Sequence, residues 1–384
     1  MRRKVCFVVN SRANYARIKT AILACMNHQD LDTVVIVGAS GLLYRFGNVS
    51  ELIESDGISI ESKLYTVVEG NDPIAMAKTT GLSLIDLAQE FHRIRPDIVV
   101  TVADRYETIA TAIAASYMNI PVAHTQGGEI TGSIDESVRH AITKLSHIHF
   151  PATRNAAEVL MKLGESPDKI FWVGCPALDL AHEVPPEPIS SIMEKYHGVG
   201  NRLDFSKPFI LVSQHPVTTE FKDAREQIEQ TLQAVLSCKI QAIWLWPNVD
   251  SGSDALSKRI REFREKNNDA PMHFYRNFTS EDYVNILREA SCIVGNSSSG
   301  IREASFLGTP SVNIGSRQNG RDRAPNVIDA DYDSSKIEQA IQTQIENGRY
   351  QSSEIFGDGF AGKKMAEILA SVDLDVNKKL YFHE

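Results

Sequence analysis

The chain has 384 residues, 42% of them hydrophobic and 23% charged, with a formal net charge of −9. This is an ordinary soluble globular composition, and the length suits two domains. The acidic balance argues against nucleic-acid binding through a general basic surface, while leaving room for a small cationic pocket around a phosphate. Cys6, Cys25, Cys175, Cys238 and Cys292 are scattered without CxxC spacing. That reads as reduced thiols, not a disulfide frame or a zinc site. In the opening MRRKVCFVVNSR the apolar run covers only 5–9, too short for a signal-peptide core, and no stretch is long enough to span a bilayer. The expectation is a cytoplasmic protein with no membrane or nucleic-acid partner.

The dominant rhythm is a short apolar strand, a polar loop and an amphipathic helix. A strand at 5–9 precedes a helix at 15–26, and a second strand covers 33–37. The strand 97–102 precedes a helix at 107–118, and the strand 121–124 precedes a helix at 137–145. A strand at 147–150, a helix at 155–163 and a strand at 170–173 complete this half. The stretch 181–188, AHEVPPEP, carries three prolines and reads as a linker. The rhythm then restarts: strands at 209–212, 242–246, 272–275, 292–294 and 311–314, with helices at 223–236 and 253–266. Nearly continuous apolar strands alternating with helices imply parallel sheets covered on both faces. Two such α/β halves place ligands beyond the carboxyl ends of strands, with the cleft between domains as the expected site.

The loops after the strands carry the chemistry. After the first strand, Ser11 or Asn14 caps the next helix, or Arg12 reaches a diphosphate as a bidentate donor. Asp104 ends the strand 97–102, where it suits acid–base work or an N-cap. The loop HTQGGEITGSIDE, 124–136, brings Glu129, Asp135 and Glu136 into a glycine-rich segment. Repelling carboxylates have their pKa values pushed apart, as general acid and base roles need. Asp135 also stands as a helix cap, one i,i+4 step from Arg139. His215 closes the first strand of the second half and suits an acid, a base, a phosphate contact or plain packing. His147 and His149 share a face by alternation, but no ligand set completes a metal site there. GNSSSGIRE, 295–303, lies between a strand and a helix. Glycines, free amides and the hydroxyls of Ser297, Ser298 and Ser299 suit a phosphate, with Glu303 one turn on to accept from ribose hydroxyls. The same serines also suit simple helix capping. The loop lacks the GxxxxGK[ST] pattern of a P-loop.

Taken together, SRANYARIK, VADRYE, HTQGGEITGSIDESVRHAITKLSHIHF, QHPVTTE, WPNVDSGS, GNSSSGIREASFLGTPSVNIGSRQ and FGDG resemble the hydrolysing UDP-N-acetylglucosamine 2-epimerases of sialic-acid biosynthesis. The likeness runs over nearly the whole chain. A related group acts on diacetamido-trideoxy nucleotide sugars on the way to legionaminic acid, and the motifs do not separate the two.

The resemblance implies a GT-B-like fold. Two Rossmann-like domains, 1–180 and 190–361, face across a cleft, and the segment 362–384 crosses back to the first. It implies elimination of the nucleotide diphosphate to a 2-acetamidoglucal, then hydration to free N-acetylmannosamine, with no cofactor and no metal. Asp104 and Asp135 match acid–base positions, and His215 a histidine near the diphosphate. Arg12, Ser297, Ser298, Glu303 and Arg317 match nucleotide or phosphate contacts, with Arg105 and Arg139 beside them, and Asn248 lies near the base. A homodimer or homotetramer is the implied assembly. The chain departs from the pattern in three places. Gln126 stands where the animal enzyme's HIEGGE-like pattern has a carboxylate, which implies that Glu129 or Asp135 takes the load, that the chain is an inactivated variant, or that it is a homologue with altered chemistry. Asn14 replaces an acid, and Ala103 replaces a glycine. A GT-B glycosyltransferase and a nucleotide-sugar binder without turnover are the alternative readings.

Overall fold

The computed structural model describes residues 2–43, 49–69, 73–131, 134–247 and 253–382. Contacts divide the chain into two units. One comprises Met1–Ile130, Ile134–Asp179 and Ile355–Glu384, the other Thr131–Ser133 and Leu180–Glu354.

In the first unit six strands form one parallel sheet: β1 Arg3–Val9, β2 Leu31–Gly38, β3 Ser62–Leu64, β4 Ile98–Val102, β5 Val122–Thr125 and β6 Ile148–Phe150. Their order is β3-β2-β1-β4-β5-β6. Alternation along β1 shows why the sheet is buried on both faces. Val5, Phe7 and Val9 enter one apolar core, while Cys6 and Val8 enter another with Leu87, Phe91 and Ala110. The order reverses between β1 and β4, and in doubly wound sheets ligands bind beyond the strand ends at that reversal.

The helix Ala361–Ser371 belongs to this unit. It packs on Lys19–Met26, with Gly362 so close to Thr20 that a Cβ would lie 2.7 Å from backbone. The Asp179 carboxylate accepts from the first helical amides, Ala361 N at 2.8 Å and Gly362 N at 2.7 Å. At the other end Arg3 Nη1 donates to the carbonyls of Leu369 (2.6 Å) and Val372 (2.8 Å). Each contact satisfies backbone groups that a helix end leaves open.

The second unit holds β7 Val199–Gly200, β8 Phe209–Ser213, β9 Gln241–Leu245, β10 Met272–Tyr275, β11 Cys292–Gly295, β12 Ser311–Ile314 and β13 Val327–Ala330. Their order is β13-β12-β11-β8-β9-β10-β7, parallel except for β7. Here the reversal falls between β8 and β11.

Several elements differ from the sequence reading. The strands β3, β7 and β13 escape it. All three are sheet edges, short and partly exposed, so no continuous apolar run marks them. The single helix expected at 15–26 is two, Arg12–Ala16 and Lys19–Met26. Asp56 gathers Tyr15 Oη (2.5 Å) and Lys19 Nζ (2.7 Å) across the break. The strand expected at 170–173 shrinks to one bridge, His149 to Ile170. The helix Ala177–Glu183 runs into the proline-rich segment read as a linker. Among the described residues no helix is long and apolar enough to cross a membrane.

Candidate functional site

In the first unit the site residues sit on the loops after β1, β4 and β5. Ser11 caps the helix Arg12–Ala16, its hydroxyl accepting from Asn14 N at 3.2 Å. Asn14 is buried; its Oδ1 accepts from Asn10 N at 3.2 Å, and its Nδ2 donates to Val102 O at 3.5 Å. The amide at this place thus ties the β1 loop to the end of β4. Arg12 opens the short helix and is half-buried.

Asp104 is not the cap of the following helix. That helix begins at Thr108, behind Glu107. The Asp104 carboxylate instead pairs with Arg139 Nη2, and Arg139 Nη1 donates to the Glu129 carbonyl at 2.6 Å. Arg139 is wholly buried. One guanidinium therefore joins the β4 loop, the β5 loop and the helix Ile134–Leu145. Arg105 Nε donates to Glu107 Oε1 at 2.8 Å, and Glu107 is fully buried. Asp135 lies in the first turn of Ile134–Leu145, half-buried.

His124 fixes the turn that presents Asp104. Its Nε2 hydrogen-bonds the Ala103 carbonyl at 2.8 Å, and its Nδ1 lies 3.3 Å from Thr143 Oγ1. Ala103 has φ +60, an unusual conformation for a residue with a side chain. Burial, above all, pushes the His124 imidazole down to about 3, so it is neutral at pH 7. In the sequence this residue is only the end of an apolar strand, and its partner lies 21 residues away.

Gln126 is buried at φ +59. Its Oε1 accepts from Arg17 Nη1 at 3.4 Å, and its Nε2 points at Cys175 Sγ, 3.5 Å away. Gly128 at φ +79 passes so close to the helix Arg154–Lys162 that a Cβ would meet Ala156 O at 2.1 Å. Gly128 answers to that approach, while Gly127 faces His124 and Thr143, where a Cβ would lie 3.0 Å from His124 Nδ1.

In the second unit the site residues gather at the ends of β8 and β11. Asn296 N and Ser297 N both donate to Ser213 O, at 3.1 and 3.2 Å. His215 N donates to Asn296 Oδ1, and Asn296 Nδ2 donates back to His215 O, both at 2.8 Å. The Asn296 carbonyl then accepts from Arg317 Nη1 at 3.1 Å and Gln318 Nε2 at 2.8 Å. His215, Arg317 and the serine loop are thus organised around one asparagine. Ser297 caps a short 3-10 turn, Ser298–Gly300, accepting from Ser299 N. Both Ser297 and Ser298 keep partial exposure. Glu303 opens the five-residue helix Glu303–Leu307 and is half-buried. Asn248 lies outside the described residues. His149, set aside as structural from the sequence, is buried against Glu165 at 2.9 Å.

Sequence reasoning passed over His124 and Asn296 as site residues. Both act through backbone carbonyls and amides far away in the chain, which no local spacing records.

The model of the UDP-N-acetylglucosamine 2-epimerase family matches residues 23–370. A UDP-N,N'-diacetylbacillosamine 2-epimerase (hydrolyzing) of Legionella pneumophila is 32% identical over 97% of both chains. A GDP/UDP-N,N'-diacetylbacillosamine 2-epimerase (hydrolyzing) of Campylobacter jejuni is 30% identical over 89% of this chain and 87% of its own. Among solved structures, UDP-GlcNAc 2-epimerase from Neisseria meningitidis bound to UDP-GlcNAc superposes with a TM-score of 0.79 at 18% identity. That match covers 95% of this chain and 99% of the other. The likeness shows the GT-B-like fold.

Proposed function

Because the chain belongs to the UDP-N-acetylglucosamine 2-epimerase family, we propose that it is a hydrolysing 2-epimerase of a UDP-linked 2-acetamido sugar, with UDP-N-acetylglucosamine as the first substrate to test. A base removes the C2 proton while the C1–O bond breaks, and UDP leaves with the bonding electrons. The 2-acetamidoglucal so formed adds water, hydroxyl at C1 and proton at C2 on the opposite face. The product is free N-acetylmannosamine, a precursor for sialic-acid-type sugars. Neither step changes the net oxidation state, so no redox cofactor is required.

In this reading Asp104 and Asp135 exchange the protons, with Glu129 as the third carboxylate. The neutral amide of Gln126 exchanges none near pH 7 and serves as a hydrogen-bonding group. His215 attends the departing diphosphate, which Arg12, Arg105, Arg317, Ser297 and Ser298 contact. Glu303 accepts from the ribose, and Asn248 lies by the base. Arg139 supports Asp104 from behind. The observation that carries the reading is the Asp104 carboxylate, held by a wholly buried arginine at the reversal point of the first sheet. Catalytic carboxylates need such fixed orientation.

A diacetamido sugar nucleotide is the second reading, favoured by the names of the Legionella and Campylobacter relatives. A cytoplasmic setting and a homodimer or homotetramer complete the proposal. Ile74, Leu82 and Ile85, exposed along the helix Pro73–Ile94, support self-association.

Proton NMR of the protein with UDP-N-acetylglucosamine in D2O tests the activity. Free N-acetylmannosamine deuterated at C2, with UDP released, is the expected result. UDP-N-acetylmannosamine with its diphosphate intact would mean a non-hydrolysing epimerase. No reaction there, with turnover of a diacetamido substrate, selects the second reading.

A further inference from the structure

A serine hydroxyl rotates freely, so a loop of serines offers an anion a defined donor only where something sets the direction of each proton. In the second unit that something is a tyrosine outside the loop. Tyr283 lies on the helix Ser280–Glu289, its ring packed against the apolar cluster that includes Ile286, Ile293 and Ala304. Its Oη is 2.5 Å from Ser299 Oγ, and Ser299 Oγ is 2.9 Å from Ser297 Oγ. Ser299 N also donates to Ser297 Oγ at 3.4 Å. Ser299 is buried, 6% exposed, while Ser297 keeps partial exposure. The three hydroxyls form one cluster between the packed helix and the loop, with Tyr283 interacting with Ser297 as well as with Ser299.

The chemistry orders the chain. A phenol is a stronger donor and a weaker acceptor than an alkyl hydroxyl, so the tyrosine proton belongs on Ser299. Burial first, and the charge of Glu303 after it, raise the Tyr283 phenol and keep it protonated. Ser299 then gives its own proton to Ser297. With both lone pairs engaged by Ser299 Oγ and Ser299 N, the Ser297 hydroxyl has only a donor left, and the neighbouring Tyr283 oxygen is a weaker acceptor for that proton than a phosphate oxygen.

We propose that Tyr283 is a positioning residue for the nucleotide diphosphate: through Ser299 it turns the Ser297 hydroxyl into an outward donor to a phosphate oxygen. This rests on the nucleotide-sugar reading above. It assigns Tyr283 no contact with substrate.

The test is calorimetric titration of the full chain with UDP and with uridine, for wild type, Tyr283→Phe, Ser299→Ala and the double variant. Phenylalanine keeps the ring packing and removes only the relay's first proton. The expected result is about a tenfold loss of UDP affinity in each single variant, uridine changing by less than about twofold. The double variant should lose no more than either single one, because one broken relay cannot break twice. Unchanged UDP affinity in Tyr283→Phe overturns the proposal. So do equal losses for UDP and uridine, which mark a merely structural role, and additive losses in the double variant. A wild-type protein that binds no UDP sinks the nucleotide-sugar reading itself, and is told apart because it fails before any variant is compared.

Discussion

Asn296 and His215 hold each other by a reciprocal pair of hydrogen bonds, His215 N to Asn296 Oδ1 and Asn296 Nδ2 to His215 O, both 2.8 Å. Asn296 is fully buried and His215 nearly so. An amide side chain is the group that can give and take at once across this gap. Asn296→Asp keeps the acceptor and turns the donor side into an oxygen facing a carbonyl. Leaving one buried partner unmade costs about 1–3 kcal/mol. The variant should show a lowered urea midpoint and weaker UDP binding, as the serine loop and His215 lose their common anchor. A fully wild-type midpoint and affinity would contradict the anchoring role.

Arg139 and Asp104 form a buried ion pair, the arginine side chain fully enclosed and the aspartate 10% exposed. Asp104→Asn should abolish turnover in the NMR assay while leaving UDP affinity within about twofold, since an amide still fits between the guanidinium and solvent. Arg139→Met should be the more destabilising change, by about 3–5 kcal/mol, because it strands a carboxylate and the Glu129 carbonyl. Chemical denaturation of the two variants measures that difference. Loss of UDP binding in Asp104→Asn would argue against an acid–base role.

Glu303→Ala should weaken UDP binding by about 2–3 kcal/mol, the range for a hydrogen bond to a charged group. It should affect a 2'-deoxy or 3'-deoxy analogue less. Unchanged affinity for UDP would remove the ribose assignment.

Gly295 has φ +131, and a Cβ there would lie 2.2 Å from Ser213 O. Gly295→Ala must push β11 away from β8 at the site end. A destabilisation of about 2–3 kcal/mol is expected by denaturant titration, with turnover lost in whatever fraction still folds.

Stability should fall with pH in two stages. His124 is held neutral by burial, down to about 3 from 6.5. Below pH 6.5 the unfolded chain takes a proton that the folded one refuses, which costs about 1.4 kcal/mol per pH unit. Burial also lowers His149. Glu165 adds the second stage. Burial opposes its ionisation, but hydrogen bonds from His149, Lys144 and Lys378 outweigh it and bring it from 4.5 to about 2. Its contribution is complete above pH 4.5 and is lost as pH falls towards 2. Scanning calorimetry across pH 8 to 4 should show the midpoint dropping first below pH 6.5, and His124→Asn should flatten that first stage.

The local pattern of this sequence determined a good deal. Continuous apolar runs such as Ile98–Val102, followed by polar loops and amphipathic helices, require buried parallel strands. The GNSSSGIRE and SIDESVRHAITKLSH stretches also carry a family likeness that a match over 23–370 supports. These signals are legible because side-chain periodicity and loop composition act over a few residues. Tertiary structure decided the rest. The edge strands β3, β7 and β13 have no burial pattern of their own and exist through pairing with a neighbour. The break at Arg17 and Ile18 is spanned by Asp56, which holds Tyr15 on one side and Lys19 on the other. Asp104 meets Arg139 across 35 residues, His124 meets Ala103 across 21, and His215 meets Asn296 across 81. Strand order sets each of these meetings: β5 lies beside β4, and β11 beside β8. Short-range propensity forms a strand and a loop, but which loops share an end of the sheet follows from the packing of the whole chain.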